Sequence, residues 1–277
     1  MSRGKVVTVI QARCGSSRLP GKVLMELCGK SLLARQFERV ARSQSAGTIV
    51  VATTLEREDD AVANICEEEK IHCFRGHTND LLDRHYRTGK LFEADAIVKI
   101  PSDCPLIDPK IIDDVVSLFL ENSNLDYVSN LHPASFPDGN DVEIMTAEAL
   151  ETAWLRAVRP LEREHTTPFL WENPELFKIG NYLWKDGPNF SQSHRFTIDY
   201  PEDYAFISAV YNELFPNNPD FNLKDILGLL LTRPDIYKLN QVHAGEYWYK
   251  NHRDELKTIH YQDPGPSSEE NGNSDSI

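Results

Sequence analysis

Small and basic residues follow the first hydrophobic run of the chain, in the order Gln11-Ala12-Arg13-Cys14-Gly15-Ser16-Ser17-Arg18-Leu19-Pro20-Gly21-Lys22. Small residues let backbone N–H groups point into a concavity that cradles phosphate oxygens. Arg13, Arg18 and Lys22 can then neutralise a triphosphate and stabilise the charge that grows on a leaving pyrophosphate. The spacing of Gly15 and Gly21 fits neither a Walker loop nor a dinucleotide fingerprint. A flexible basic loop without a ligand remains the alternative.

Two aspartates follow predicted strands and supply the second chemical signal. Asp103 comes directly after the strand at 96–100, and Asp199 comes after the strand at 195–198. Two carboxylates in one cleft suit Mg²⁺, a hard ion that takes oxygen ligands from one or two acids plus substrate phosphates. The sequence alone equally allows a turn carboxylate at Asp103 and a helix-capping Asp199 ahead of Pro201.

The distribution of charge favours a small polyanionic ligand. The chain of 277 residues has a formal net charge of −14, which argues against a general nucleic-acid surface. Residues 1–42 nevertheless carry nine basic and two acidic side chains, a local balance of +7. Such a concentration of cations in an acidic protein is typical of a site for a small anion. For Arg35, Arg39 and Arg42 the solvated face of a helix is the preferred interpretation.

Strands and helices alternate over the first 120 residues, which predicts an α/β fold with a parallel sheet covered on both faces. The expected strands span 5–12, 47–53, 72–74 and 96–100, and the helices 31–43, 59–70, 81–92 and 109–120. Ligands bind at the carboxyl ends of such strands. The loop after Gln11 and the loop after Ile100 both begin at such ends. From about Leu125 the pattern changes to a mixed region. There, strands are expected at 126–129, 141–145, 177–183 and 195–198, and helices at 146–158, 161–172, 202–214 and 223–231.

Other features place limits on the protein class. The five cysteines are scattered and never two residues apart, so free thiols are expected rather than zinc or dithiol chemistry. No nearby His supports Cys14 as a nucleophile. The longest apolar run near the start is too short to span a bilayer, so we expect a cytoplasmic protein without membrane contact. Residues 263–277 are acidic, rich in Pro, Gly and Ser, and expected to be disordered.

Six blocks together resemble the cytidylyltransferase family that includes the KDO- and acylneuraminate-activating enzymes. They lie at 11–22, 76–86, 97–108, 136–144, 162–169 and 195–204. The order of the blocks is similar to that of the branch named after spore-coat polysaccharide biosynthesis. This resemblance implies a three-layer α/β/α fold of the GT-A type over residues 1–262, with a mostly parallel, Rossmann-like nucleotidyltransferase sheet. It also implies an acceptor-binding and dimerisation subregion at about 125–195, and a homodimer.

The resemblance further implies Mg²⁺-dependent transfer of CMP from CTP to an acidic sugar or related small metabolite, with release of pyrophosphate. Its implied catalytic residues are Arg13, Arg18, Lys22, Asp103 and Asp199, with Asp103 and Asp199 as metal ligands. The implied nucleotide-binding residues are Gln11, Ala12, Arg13, Gly15, Ser16, Ser17, Arg18, Lys22, Asp83, Arg84, Ser102 and Asp103. The implied acceptor-binding residues are Asn140, Asp141, Glu143, Arg163, Glu164 and His165. Ser102 and Asn140 depart from the family's usual glycine and apolar residue.

Other readings of these residues stay open at this point. Asp83 and Arg84 could form an exposed helix face, and residues 162–165 could be a charged first turn of a helix. A glycosyltransferase that uses a finished nucleotide sugar is one rival function. A non-catalytic nucleotide-binding subunit of a biosynthetic complex is another.

Overall fold

The computed structural model describes residues 4–185, 187–247, 249, 252 and 254–258. The chain divides into two compact units, Met1–Glu246 and Tyr247–Ile277. In the second unit the rings of Tyr247 and Tyr249 stack with their centroids 5.0 Å apart. The predicted disordered tail at 263–277 lies outside the described residues. The first unit contains all the candidate site residues.

The strands of the first unit form one large sheet and one short hairpin. They are β1 (Val6–Gln11), β2 (Glu26–Leu27), β3 (Lys30–Ser31), β4 (Thr48–Thr54), β5 (His72–Gly76), β6 (Ala96–Pro101), β7 (Tyr127–Ser129), β8 (Glu143–Thr146) and β9 (Ile179–Asn181). Seven of them pair in the order β5-β4-β1-β6-β8-β7-β9, and β2 pairs with β3. Strand β8 runs antiparallel to β6 and β7, whereas the other pairings in the large sheet are parallel.

Helices cover both faces of the sheet. They are α1 (Leu32–Val40), α2 (Asp60–Glu68), α3 (Leu81–Leu91), α4 (Pro109–Glu121), α5 (Ala147–Arg156), α6 (Pro160–His165), α7 (Pro168–Trp171), α8 (Pro201–Leu214), α9 (Leu223–Thr232) and α10 (Pro234–Tyr237). Short 3₁₀ segments lie at Lys22–Leu24, Arg57–Asp59 and Lys238–His243. The predicted three-layer α/β/α arrangement with a mostly parallel sheet is therefore confirmed.

The alternation of side chains along the strands explains why both faces are buried. Ile10 and Val98 point into the core that also contains Leu33 of α1 and Val115 of α4. Ile97, one residue before Val98, points to the opposite face, where it contacts α3. A strand buried on both sides requires the continuous β-branched runs that the sequence shows.

Four sequence-based expectations are wrong in detail. Residues 195–198 form no strand, because Arg195 makes only an isolated bridge with Asp138. The helix expected at 161–172 is divided into α6 and α7, because Thr166 adopts a positive φ of 72°. Arg35 and Arg39 do not form a solvated helix face, since both are buried. The strand expected at 177–183 is shortened to β9.

Within the described part of the chain, no helix combines the length and the apolar character needed to cross a membrane.

Gly47 permits the turn into β4, and replacing it by Ala tests this packing. Its φ is 62°, and an added Cβ would lie 2.1 Å from the carbonyl oxygen of Val6. We expect Gly47→Ala to lower the free energy of unfolding by about 1–3 kcal/mol in chemical denaturation. Gly228→Ala in α9 is the matched control, because nothing lies within 4 Å of its added Cβ. This control should stabilise the protein by about 0.4–1 kcal/mol. Equal effects of both substitutions would contradict the packing described.

Candidate active site

The basic loop after β1 folds back on a single carbonyl group. The Cys14 carbonyl oxygen accepts hydrogen bonds from the N–H of Ser16 at 2.8 Å and of Gly21 at 2.9 Å. Gly21 has a φ of 70°, a conformation that favours glycine, and it leads into the 3₁₀ segment that begins at Lys22. The loop therefore curls at the carboxyl end of β1 and directs Lys22 back toward the sheet.

Asp59 anchors this loop from a neighbouring segment. One carboxylate oxygen accepts a hydrogen bond from the Cys14 N–H at 2.6 Å, and the other accepts from the Thr54 hydroxyl at the end of β4. Burial and the Asp59 carboxylate raise the pKa of the Cys14 thiol to about 12. The thiol therefore stays protonated at neutral pH, which argues against Cys14 as a nucleophile. This anchor could not be predicted from the sequence, because an aspartate ahead of a helix is common.

The Lys22 ammonium joins the two aspartates that follow distant segments. Its Nζ lies 3.0 Å from Asp103 Oδ2 and 3.1 Å from Asp199 Oδ1. It also donates to the Ile198 carbonyl oxygen at 2.6 Å. Lys22 is 8% exposed, so this ion pair is largely removed from solvent. One cation thus sits between two carboxylates at the edge of the sheet where β1 and β6 end.

Backbone hydrogen bonds hold the two aspartate segments side by side. The Asp103 carbonyl oxygen accepts from the Ile198 N–H at 2.9 Å and from the Thr197 hydroxyl at 3.1 Å. Burial opposes the charged form of Lys22, but the two carboxylates outweigh it and raise the pKa of the ammonium. Burial likewise opposes the charged form of Asp199, but Lys22 and Arg18 lower its pKa. Lys22 and Asp199 are therefore both ionised at neutral pH.

Arg18 extends the positive charge outward from Lys22. Its Nη2 lies 2.7 Å from Asp199 Oδ1, and its guanidinium lies 5.5 Å from the centre of the Tyr200 ring. The Arg18 side chain is 46% exposed, so it borders solvent at the mouth of the site. Arg13 lies elsewhere on the loop and lines a cleft beside α3.

That cleft has a volume of about 330 Å³ and lies between the basic loop, α3 and α6. Its lining residues are Arg13, His77, Asn79, Asp80, Leu81, Pro160, Arg163 and Glu164. The polar groups at 77–80 come from the turn after β5, which is another carboxyl strand end. Sequence reasoning included this turn in a family block but did not single out its residues.

The remaining predicted nucleotide-binding residues lie along the same strand ends. Ala12 and Ser102 are buried, whereas Gly15 and Ser17 are exposed and Ser16 is half-buried. The Gln11 side-chain oxygen at the end of β1 is buried without a hydrogen-bond partner among the described residues.

Arg84 and Asp83 occupy different environments on α3. Arg84 is 1% exposed, and its Nε and Nη1 atoms have no hydrogen-bond partner among the described residues. Burial, together with the nearby Arg13, lowers the pKa of Arg84 to about 10. The Asp83 carboxylate instead accepts hydrogen bonds from Arg87 and from the Trp154 indole N–H at 2.8 Å. Arg84 is therefore not part of an exposed helix face, and it needs anionic or acceptor partners.

Residues 7–227 match the model of the family described as Cytidylyltransferase. The chain belongs to the cytidylyltransferase family. The resemblance recognised in its sequence blocks is thereby confirmed, and the protein is a nucleotidyltransferase. The match begins inside β1 and ends inside α9, so it contains both aspartate segments and the basic loop.

Three proteins illustrate the relationship. A cytidylyltransferase structure from Leptospira borgpetersenii serovar Hardjo-bovis has 35% sequence identity and a TM-score of 0.80, covering 84% of this chain and 97% of that one. The spore coat polysaccharide biosynthesis protein SpsF of Bacillus subtilis is 29% identical over 236 residues, which are 83% of this chain and 95% of SpsF. A CMP:2-keto-3-deoxy-manno-octonic acid synthetase complexed with CTP has a TM-score of 0.58 at 19% identity, covering 76% and 99% of the two chains. That last likeness shows a shared fold.

In this cytidylyltransferase, the residues predicted to bind the acceptor lie in two separate places. Arg163 and Glu164 line the cleft beside Arg13, and the Arg163 Nε donates to Asp80 at 2.8 Å. His165 is half-buried at the end of α6. Asn140 and Asp141 do not line that cleft. The structure thus places Arg163 and Glu164 in the cleft that Arg13 lines, and Arg84 lies near Arg13.

The loop before β8 contains the other predicted acceptor residues. Asn140 is 1% exposed, and its side-chain oxygen accepts from the Asp108 N–H at 3.0 Å. Burial and the nearby Asp103 raise the pKa of Asp141 to about 6. Burial and Asp141 also raise the pKa of Asp138 well above its usual range, although Arg195 opposes this effect. Asn140 is engaged in holding the loop, whereas Asp141 lies near the aspartates of the site.

Glu143 is buried in a polar network that links β6, β7 and β8. It pairs with Lys99 of β6, and its Oε2 accepts a hydrogen bond from the Tyr127 hydroxyl at 2.5 Å. The antiparallel register of β6 and β8 places Lys99 directly opposite Glu143. Glu143 is 2% exposed, so it contacts neighbouring strands rather than open solvent. Burial opposes its charged form, but Lys99 lowers its pKa.

Breaking this network should destabilise the fold. We expect Lys99→Met to lower the free energy of unfolding by about 3–5 kcal/mol, because it leaves a buried carboxylate without its cation. The double variant Lys99→Met/Glu143→Leu should recover part of the loss, since no charge remains buried. Denaturant titrations of the two variants and the wild type measure both effects. Unchanged stability with reduced turnover in Lys99→Met would contradict a structural role.

The same pair predicts a pH dependence. The pKa of Glu143 is lower in the folded protein than its ordinary value of 4.5, so ionised Glu143 stabilises the fold above that pH. This contribution is lost as the pH falls through the folded pKa. The stability difference between wild type and Glu143→Gln should therefore be constant above about pH 4.5 and narrow below it. If the stability difference between the two proteins widened on acidification, this would contradict a lowered pKa of Glu143.

Proposed function

We propose that the protein transfers CMP from CTP to an acidic sugar or related small metabolite and releases pyrophosphate, with Mg²⁺ as the metal. The observation that supports this most is the position of the Lys22 ammonium between Asp103 and Asp199, at the end of a basic loop. A cationic loop and two acids that converge on one point are what a metal-bound triphosphate requires.

The two aspartates fit a magnesium ion. One oxygen of Asp103 and one of Asp199 lie within 3.1 Å of the same ammonium nitrogen, so a cation already fits between them. Both donors are hard carboxylate oxygens, and two acids suffice for an ion that also takes phosphate oxygens. Asp103 and Asp199 would hold the ion. When bound, it would offset charge between nucleotide and acceptor and polarise the α-phosphate.

The residues of the chain would mainly position the triphosphate and neutralise its charge. Backbone N–H groups of the loop would face the phosphates, while Arg13, Arg18 and Lys22 would stabilise the departing pyrophosphate. Phosphoryl transfer requires little covalent chemistry from the protein, so position and charge account for most of the catalysis. The triphosphate would also offer Lys22 an anionic partner in place of the aspartates.

Two features support cytidine and an acidic acceptor. The Arg84 Nε and Nη1 atoms have no hydrogen-bond partner among the described residues, and Arg84 lies near Arg13, which lines the 330 Å³ cleft. Such a cleft is large enough for part of a nucleotide. The relatives named above include a synthetase complexed with CTP and a protein of polysaccharide biosynthesis. A homodimer formed through residues 125–195 belongs to the same proposal, and light scattering measures it.

Loss of either site aspartate should abolish most of the activity. With CTP, Mg²⁺ and a panel of acidic sugars, we expect Asp103→Asn and Asp199→Asn to lower turnover at least about 10²–10³-fold, because each removes charge stabilisation of the reacting phosphate. Pyrophosphate release is the measurement. Asp220→Asn is the matched control, because its carboxylate is 79% exposed, and its activity should equal that of the wild type.

The outcomes separate the rival functions. Pyrophosphate release with CTP and an acidic sugar supports the proposal. Binding of nucleotide sugars in preference to CTP, without pyrophosphate release, would support a glycosyltransferase. Binding of CTP with no reaction across the panel would support a non-catalytic subunit. Failure of the wild type to bind CTP would overturn the proposal.

Lys22 provides a test that needs no acceptor. Lys22→Ala removes the ammonium that neutralises both aspartates, so Mn²⁺ should bind the nucleotide-free variant on the order of tenfold more tightly than the wild type. Triphosphate binding should weaken in the same variant, because a phosphate contact is lost. Electron paramagnetic resonance of free Mn²⁺ and calorimetry with CTP measure the two effects. Lys224→Ala, at an exposed helix position, should change neither. Equal Mn²⁺ binding by wild type and Lys22→Ala would contradict a metal position between the aspartates.

A further inference from the structure

A buried guanidinium lies directly behind Asp199. Arg195 is 2% exposed, and its three nitrogens reach three carboxylates. Its Nη2 lies 3.1 Å from Asp199 Oδ2, its Nε lies 2.9 Å from Asp203 Oδ1, and its Nη1 lies 3.1 Å from Asp138 Oδ2. Arg195, Asp138 and Asp203 lie in sequence blocks that resemble the family, but none of them is among the site residues predicted from the sequence.

These contacts fix the orientation of the Asp199 carboxylate. Its Oδ2 is taken by Arg195, which leaves Oδ1 to face Lys22 and Arg18. Asp203 secures the backbone at the same point, because its Oδ2 accepts the Asp199 N–H at 2.9 Å. Asp203 is fully buried at the start of α8, so it has a firm position of its own. Asp199 is therefore held from behind at both its backbone and its side chain.

The third carboxylate links this arrangement to the loop before β8. The Asp138 N–H donates to the His194 carbonyl at 2.9 Å, and the Asp138 carbonyl accepts from the Phe196 N–H at 2.7 Å. Gly139 packs so closely there that an added Cβ would lie 2.5 Å from the Phe196 carbonyl carbon. The loop that carries Asp141 is thus attached to the same strip of backbone as Arg195.

The 3₁₀ segment Lys238–His243 also contacts Arg195 and Asp203. Asn240 is fully buried, and its side-chain amide donates to the Arg195 carbonyl at 2.9 Å and to Asp203 Oδ1 at 3.0 Å. Arg195 Nη1 donates in addition to the Glu246 carbonyl at 3.1 Å. These bonds leave the guanidinium few alternative orientations.

We propose that Arg195 is a positioning residue for the transfer reaction: it turns Asp199 Oδ1 toward the metal position and joins Asp199 to the loop before β8. The proposal rests on the proposed function. A planar guanidinium with several N–H donors spans three carboxylates, which a single ammonium cannot do in the same way. Lysine at this position would therefore keep the charge and lose the orientation of Asp199.

The test uses Mn²⁺ alone as its probe, in a background where no ammonium competes. We expect Mn²⁺ to bind Lys22→Ala/Arg195→Lys at least tenfold more weakly than it binds Lys22→Ala, as measured by electron paramagnetic resonance. In otherwise wild-type protein, Arg195→Lys should lower turnover with CTP and an acidic sugar about a hundredfold with a smaller change in KM for CTP. Circular dichroism and thermal melting confirm that the variants fold.

Arg39 offers a matched control for the loss of a buried guanidinium. It is also 2% exposed, but it donates to the carbonyl oxygens of Ile107 at 2.8 Å and Phe221 at 3.0 Å instead of to carboxylates. Arg39→Lys should lower the melting temperature, as Arg195→Lys does, and leave Mn²⁺ binding in the Lys22→Ala background unchanged. An equal loss of Mn²⁺ binding in both would mean that instability alone weakens the site, which would overturn the proposal.

The outcomes for this inference and for the proposed function are distinct. Equal Mn²⁺ binding by Lys22→Ala and Lys22→Ala/Arg195→Lys overturns the positioning role, whatever reaction the protein catalyses. Absence of Mn²⁺ binding in Lys22→Ala also overturns it, because Asp199 would then have no metal to face. Weakened Mn²⁺ binding without pyrophosphate release by the wild type supports the role of Arg195 and refutes the proposed reaction.

Discussion

Two ionised carboxylates repel each other in a largely buried cleft unless a cation neutralises them, and in this protein Lys22 is that cation. Its ammonium lies about equally far from Asp103 and Asp199, which come from segments almost a hundred residues apart in the chain. Two carboxylates that lie 3.0 and 3.1 Å from the same ammonium nitrogen repel each other strongly where water is scarce. Three features bring these charged groups together. The loop after β1 curls, Asp59 anchors that loop, and residues 197–198 bind to Asp103.

Behind this pair, cations and carboxylates alternate in successive layers. Arg195 lies among Asp138, Asp199 and Asp203, while Arg18 meets Asp199 from the solvent side. Asp138, Asp199 and Asp203 therefore each contact a cation. Burial of unpaired charges is unfavourable, so such alternation allows an acidic site to exist inside a fold. The net charge of the whole chain gives no hint of this local balance.

Local patterns were enough to predict the main sheet and its edge. The β-branched runs of β1, β4 and β6, each followed by a helix, predicted parallel strands, and the rule for strand ends placed both candidate loops correctly. Contacts between distant segments were beyond such reasoning. Glu143 meets Lys99 only because of the register of β6 and β8, and Arg195 meets Asp138 through an isolated bridge that no strand pattern reveals. The break at Thr166 depends on a backbone conformation that threonine rarely adopts.

The single reversed strand of the large sheet has a consequence for how such a protein can diversify. Because β8 runs against its neighbours, its entry loop reaches the edge where the parallel strands have their exits. In the proposed function, Asp141 of that loop lies on the acceptor side, whereas the turn after β1 faces the nucleotide. The two sets of residues then belong to separate segments of the chain, so a substitution in one segment can leave the other unchanged.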